Sequence, residues 1–372
     1  MSRIDGRTSA YLPSLDGWRA IAILGVIFYH STLHTLGIFS TRWAWLYGYL
    51  GVDIFFAISG LLITSKLLQE EEASGRFSLV SFYIRRAFRI LPAAIVYLSS
   101  IAILAAFGLI YVSRVEWFAS LFFYRNYSSL YHIEQTRGLP WFTTHFWSLS
   151  IEEHFYLLLP TLLILTRKRF RIAGLLGIIG LVLVHRQLEL NHRPWFTVMF
   201  HTDIRLCALL IPSLFAVLSR SETLSTHFNT FIRKWHLAFL VAFIWVIHWP
   251  PGSGLRMAVI EIALPGIVLG TVLKPASIAT RILEWRPLRW IGRISYSLYL
   301  WQELFFVKRF LEWRPLGTLQ AWPLNLVLTF LMAVLSYYFI ERPMIRLGHQ
   351  LAQKRLSSHV TEKEPQTPNA LV

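Results

Sequence analysis

The stretch LDGWRAIAILGVIFYH at residues 15–30 is a long apolar segment that carries two ionisable side chains, Arg19 and His30. An α-helix rises about 1.5 Å and turns about 100° per residue, so these side chains lie about 16 Å apart along the axis and within about 20° of one face. Ionisable groups inside a bilayer are costly and usually face the interior of a helix bundle. The segment therefore predicts a membrane helix with a functional face.

The composition also indicates a membrane protein. Of the 372 residues 55% are hydrophobic, and 15 Trp and 15 Tyr suit the aromatic belts found at membrane surfaces. About ten apolar runs reach spanning or near-spanning length. They cover approximately residues 16–36, 47–68, 90–112, 148–166, 172–185, 200–219, 236–250, 256–273, 291–310 and 323–340. We expect an all-α, polytopic helix bundle with about ten transmembrane helices.

The distribution of basic residues predicts the orientation of this bundle. With a cytoplasmic N-terminus, the inner segments hold about 24 Lys and Arg and the outer loops about 10, which favours two cytoplasmic termini. Topology and anionic lipid then account for most of the net charge of +16, and no nucleic-acid partner is expected. We predict one membrane domain over residues 1–350, an uncleaved first helix, and a disordered cytoplasmic tail over residues 351–372.

The second apolar run contains GVDIFFAISG at residues 51–60, which places Asp53 at about the depth of His30. A carboxylate that orients an imidazole also raises its basicity, as a general base requires. Asp53 could instead cap its own helix near the start. The sequence leaves both interpretations open.

A basic block, FYIRRAFRILP at residues 82–92, follows the second run. Arg85, Arg86 and Arg89 have i,i+3 and i,i+4 spacing and form a ridge at a helix start. Arginine forks bind phosphates in bidentate fashion, but the same residues could simply anchor the cytoplasmic side of the membrane.

Further charges fall near the predicted outer surface. In HFWSLSIEEHFY at residues 145–156, Ser150 and Glu153 have capping-box spacing, which leaves Glu152 unexplained. In HTDIR at residues 201–205, Asp203 and Arg205 cannot meet on one helix, so each needs a partner on a neighbouring helix. Counted by depth, these residues predict a polar vestibule open to the periplasm above His30 and Asp53. The spacing of the histidines is not that of a metal site, and no metal is expected.

Together these blocks resemble the acyltransferase-3 family of bacterial integral-membrane O-acyltransferases. The resemblance runs from Leu12 to about Pro343. Its six blocks fall on Arg19 and His30, on Gly51–Gly60, on Arg85, Arg86 and Arg89, on Trp147–Glu152, on residues 294–301 and on residues 341–343.

The resemblance implies a multi-pass enzyme of the bacterial inner membrane that moves an acyl group, most often acetyl, from acyl-CoA to a hydroxyl of a surface glycan such as O-antigen or exopolysaccharide. Acetyl-CoA is then a co-substrate, no cofactor is held permanently, and transfer is direct or through a covalent acyl intermediate. The expected catalytic residues are His30, Arg19, Asp53 and Glu152. The expected donor-binding residues are Arg19, Arg85, Arg86 and Arg89. The expected acceptor-binding residues are Trp147, Ser148, Asp203 and Arg205.

The main alternative is a transporter, in which the buried Arg, His, Asp and Glu side chains form a proton or substrate pathway. A requirement for acyl-CoA distinguishes the two functions.

Overall fold

The computed structural model of the protein describes residues 11–31, 41–75, 77–127, 142–250, 252–306 and 314–361. Within these ranges the regular structure is helical and contains no strand, which confirms the predicted fold class. The α-helices are α1 (Pro13–His30), α2 (Thr41–Ser74), α3 (Leu79–Ala106), α4 (Arg114–Leu121), α5 (Phe146–Leu165), α6 (Arg171–His192), α7 (Trp195–Val198), α8 (Thr202–Arg205), α9 (Cys207–Arg220), α10 (Ser225–Val246), α11 (Gly254–Val272), α12 (Ile278–Leu283), α13 (Arg286–Arg293), α14 (Ser295–Phe305), α15 (Leu324–Ser336) and α16 (Arg342–Thr361). A π-helical turn, Tyr337–Glu341, joins α15 to α16.

Seven helical segments in the described part of the chain are long and apolar enough to cross a membrane. They are Leu50–Ser74, Leu79–Ala106, Phe146–Leu165, Lys168–His192, Thr202–Arg220, Gly254–Val272 and Leu324–Arg355. Each overlaps one of the ten predicted runs. The other three runs coincide with α1, α10 and α14, and the 11 residues of α14 extend only about 16 Å. The count of ten spans and the orientation stay predictions.

Helix α16 extends beyond the predicted domain boundary at residue 350, and that boundary stays a prediction. It continues to Thr361, past residue 350, where the sequence predicted a disordered tail to begin. The reason is a contact with α3: Ala352 is buried, and its carbonyl oxygen accepts a hydrogen bond of 3.2 Å from the Ser81 hydroxyl. Residues 362–372 lie outside the described part of the chain.

Two glycines explain the close packing of α2 in the centre of the bundle. A Cβ atom on Gly51 would lie 2.5 Å from the carbonyl oxygen of Ala22 on α1, and one on Gly60 would lie 2.4 Å from the carbonyl oxygen of Leu209 on α9. Small residues let membrane helices approach until their backbones touch. The block at residues 51–60 therefore sets the separation of α1, α2 and α9, and with it the position of the side chains between them.

Candidate functional site

A cavity between α1, α2, α3, α5 and α14 is lined by three arginines, and we call it the arginine cavity. Its wall includes Arg19, Arg86, Arg89, Glu152 and Tyr299. Arg19 forms an ion pair of 2.9 Å with Asp16, one turn earlier on α1. The Arg86 guanidinium lies over the Tyr156 ring, 5.0 Å from its centroid. These contacts hold the guanidinium groups beside an open space.

The arginine cavity carries an excess of positive charge. Neither Arg86 nor Arg89 forms an ion pair with any residue that the structure describes. Arg85 differs, because its Nη2 donates a hydrogen bond of 2.8 Å to Glu70 and its side chain does not line the cavity. The predicted basic block is therefore divided: Arg86 and Arg89 face the cavity, whereas Glu70 on α2 neutralises Arg85. Such an excess suits a ligand with several phosphates.

Glu152 lies on the wall of the arginine cavity and accepts two hydrogen bonds. The Ser59 hydroxyl donates to Oε1 at 2.8 Å, and the Tyr156 hydroxyl donates to Oε2 at 3.0 Å. The sequence predicted that this carboxylate lies in an outer vestibule above His30. In the structure Glu152 does not line the cavity that has His30 on its wall. Glu152 instead offsets part of the positive charge of the arginines.

A second cavity, of about 370 Å³, has His30 on its wall, and we call it the histidine cavity. Its polar lining includes Tyr29, His30, His145 and Glu303. Much of the remaining wall is aromatic or apolar and consists of Val26, Val52, Trp147, Trp195, Phe196, Met199, Phe200 and Tyr299. This volume falls in the usual range of small-molecule sites. Of the predicted acceptor-binding residues, Trp147 lies here.

The geometry of His30 fixes which ring nitrogen can act as a base. Nδ1 lies 3.1 Å from the carbonyl oxygen of Val26, which can only accept, so Nδ1 carries a hydrogen and donates it. In the neutral ring Nε2 is then the nitrogen that takes a proton. The nearest carboxylate oxygen to Nε2 is Oε1 of Glu303, at 3.7 Å. This distance is too long for a hydrogen bond but short enough for Glu303 to stabilise a protonated imidazole.

The two cavities share part of one wall. Val52 and Tyr299 line both of them. The Tyr299 hydroxyl donates a hydrogen bond of 3.0 Å to the carbonyl oxygen of His145 and lies 2.6 Å from Oγ of Ser148. Ser148, predicted to bind the acceptor, lines the arginine cavity and holds Tyr299 in place. A molecule bound among the arginines would meet the histidine cavity at this wall.

Asp53 does not pair with His30, nor does it cap a helix, so both interpretations of this residue are wrong. Helix α2 begins at Thr41, twelve residues before Asp53. Asp53 instead forms a buried ion pair with Arg205, which lies in the apolar run predicted at residues 200–219. The two side chains are 3% and 1% exposed. Close by, Arg186 forms a second buried ion pair, of 2.9 Å, with Glu261. Asp53 therefore stabilises helix contacts away from both cavities.

The other charges predicted near the outer surface also have partners in the structure, and their predicted roles in acceptor binding stay predictions. Asp203 forms an ion pair of 2.7 Å with His185, and both side chains are exposed by more than 40%. Asp203 and Arg205 do find partners on other helices, as the spacing required, but neither lines the arginine cavity or the histidine cavity. Ser150 does not cap α5, since the helix begins at Phe146 and the Ser150 hydroxyl donates to the carbonyl oxygen of that residue.

Comparison with known proteins identifies the family of the chain. A family model described as an acyltransferase domain matches residues 12–341. The chain belongs to the acyltransferase-3 family. The predicted resemblance is thereby confirmed over nearly the same range of residues.

Two relatives of this chain carry names that specify an acceptor. The chain is 31% identical over 377 residues to the Bacillus subtilis protein named "Putative peptidoglycan O-acetyltransferase YrhL", an alignment that covers 94% of the chain and 57% of the relative. It is also 31% identical over 388 residues to the peptidoglycan O-acetyltransferase OatA of Listeria monocytogenes, with 94% and 58% covered. The chain thus spans less than three-fifths of the length of these relatives. No solved structure matches the chain.

Glu303 is a functional residue that was not predicted, although its position in the sequence carries a signal. Glu303 lies two residues after the block at 294–301, inside the apolar run predicted at 291–310. A carboxylate in such a run is itself evidence of a functional site. Tyr299 lies within the block, but no sequence pattern shows that its hydroxyl meets α5. The structure brings both residues to the wall of the histidine cavity, together with His30.

Proposed function

We propose that the protein transfers an acetyl group from acetyl-CoA to a hydroxyl of a bacterial cell-surface glycan. The observation that carries the proposal is the pair of cavities that share Val52 and Tyr299. One cavity offers three arginines, of which Arg86 and Arg89 form no ion pair with a described residue, and the other offers an imidazole beside a carboxylate. The names of the relatives favour peptidoglycan as the glycan.

The donor would bind with its phosphates at Arg19, Arg86 and Arg89. A guanidinium group forms bidentate hydrogen bonds to phosphate oxygens, and a partly desolvated site strengthens them. The pantetheine arm would then reach the wall at Val52 and Tyr299 and present the thioester to the histidine cavity. Since Arg19 and His30 lie about 16 Å apart along α1, an extended arm can bridge them.

Nε2 of His30 would act as the general base. It takes the proton of the acceptor hydroxyl while the hydroxyl oxygen forms a bond with the thioester carbonyl carbon. The carbon–sulfur bond then breaks, and the CoA thiolate takes this proton from His30 and leaves as the thiol. Glu303 stabilises the imidazolium in between, because its carboxylate lies 3.7 Å from Nε2. The aromatic wall of Trp147 and Phe200, whose ring centroids lie 4.9 Å apart, suits the apolar face of a sugar ring.

The proposal also states on which side of the membrane each substrate binds. With both termini in the cytoplasm, acetyl-CoA enters from the inner side and the glycan lies on the outer side of the cytoplasmic membrane. The excess of Lys and Arg in the predicted inner segments supports this orientation.

The test uses the purified protein in inside-out vesicles, with radiolabelled acetyl-CoA outside and a peptidoglycan disaccharide inside. We expect CoA to be released outside the vesicles and acetylated sugar to form in the lumen, and we expect both products to require acetyl-CoA. Movement of a solute without acetyl-CoA would support a transporter and contradict the proposal. Efficient acetylation of a nucleotide sugar added outside would contradict the sidedness.

A further inference from the structure

The side chain of His145 is a buried imidazole without a polar partner. It is 2% exposed and lies among the rings of Tyr97, Phe146 and Tyr299, at centroid distances of 5.2, 4.9 and 5.5 Å. Neither of its ring nitrogens forms a hydrogen bond with any residue in the described part of the chain. Buried polar groups in proteins almost always have a partner, so an exception indicates a place for a bound molecule.

The location of this ring is specific. His145 lines the histidine cavity together with His30 and Glu303, and it immediately precedes α5. Its backbone is fixed, because its carbonyl oxygen accepts a hydrogen bond from the Tyr299 hydroxyl at 3.0 Å and lies 3.3 Å from Oγ of Ser148. The wall shared by the two cavities therefore also positions the His145 ring.

The ring is electrically neutral in this environment. Burial lowers the pKa of His145 well below its usual range, and the positive potential of His30 and Arg125 lowers it further. A neutral imidazole carries one N–H donor and one acceptor nitrogen. A neutral His145 therefore has a hydrogen-bond donor without adding a charge that would oppose protonation of His30.

We propose that the ring N–H of His145 donates a hydrogen bond to the carbonyl oxygen of the acyl group during transfer. This inference rests on the proposed function. When the acceptor oxygen forms its bond to the carbonyl carbon, negative charge develops on the carbonyl oxygen, and a fixed donor in a dry cavity stabilises that charge. The acceptor proton passes to His30 and then to the CoA thiolate as the carbon–sulfur bond breaks, and His145 keeps its own proton throughout.

The decisive variant is His145→Phe, because it separates binding of a ligand from support of the fold. Phenylalanine fits an aromatic environment and removes two buried nitrogens without partners, so we expect an unchanged or higher melting temperature. We also expect kcat for acetyl transfer to a peptidoglycan disaccharide to fall about 10²–10³-fold, with the KM for acetyl-CoA nearly unchanged. His145→Gln keeps an N–H donor and should recover part of the lost rate.

His154→Phe is the matched control. His154 is on α5, bonds to the Thr202 hydroxyl at 2.7 Å and lines neither cavity, so its replacement should leave kcat unchanged. The inference is overturned if His145→Phe keeps kcat within about threefold of the wild-type value, if only the KM for the glycan rises, or if the lost activity follows a lower melting temperature. Absence of transfer by the wild-type protein would instead overturn the proposed function, and the inference with it.

Discussion

The buried ion pair between Asp53 and Arg205 predicts that Asp53 serves stability and not chemistry. Asp53→Asn removes the negative charge with almost no change in shape, and Arg205, only 1% exposed, keeps its positive charge. Removing one partner of a buried ion pair costs about 3–5 kcal/mol because the other charge is left uncompensated. At about 1.3 °C per kcal/mol for a chain of this size, the melting temperature should fall by about 4–6 °C.

The assay is thermal unfolding of the purified protein in detergent, followed by acetyl transfer per folded molecule. Asp203→Asn is the matched control, because its ion pair with His185 is exposed and should contribute less than about 1 kcal/mol. Replacing both partners, as in Asp53→Leu with Arg205→Met, should restore much of the lost stability, since two apolar side chains leave no buried charge. An Asp53→Asn protein with wild-type melting behaviour and no transfer would refute this reasoning and return Asp53 to the catalytic site.

Three further predictions concern the cavities. Arg86→Lys and Arg89→Lys should each raise the Kd for acetyl-CoA about tenfold, measured by calorimetry, whereas Arg85→Lys should not; equal effects at all three would contradict the division of the basic block. Glu303→Gln should lower kcat about 10–100-fold at an unchanged KM for acetyl-CoA, because the imidazolium loses its stabilising charge; a wild-type kcat would remove Glu303 from the mechanism. Val52→Phe should narrow the shared wall and slow transfer while acetyl-CoA still binds, and transfer at the wild-type rate would show that the thioester takes another route.

Much of the fold could be predicted from the sequence because it depends on local properties. Apolar length and composition placed helices at all ten predicted runs, including the short run at residues 172–185, which belongs to the helix Lys168–His192. The end of α16 could not be predicted in this way. Its last turns are polar, and the contact that anchors the preceding part of the helix, from Ser81 to Ala352, joins residues 271 positions apart.

The site was predicted less completely, because the partner of a buried charge depends on how helices rotate against one another. Depth alone placed Asp53 beside His30, but α2 turns that carboxylate towards Arg205. The spacing of Arg85, Arg86 and Arg89 predicted one ridge, whereas Glu70 removes Arg85 from it. Arg19 and His30 were placed on one face of α1, and they do line two cavities that share a wall.

The central claim is that His30 removes a proton from the acceptor hydroxyl during acetyl transfer. The most direct measurement is the rate of acetyl transfer from acetyl-CoA by purified His30→Ala protein, compared with the wild-type protein at equal folded amounts. The account predicts a fall of about 10²–10⁴-fold, with a melting temperature and an affinity for acetyl-CoA close to those of the wild-type protein. A variant that keeps more than about a tenth of the wild-type rate would contradict it.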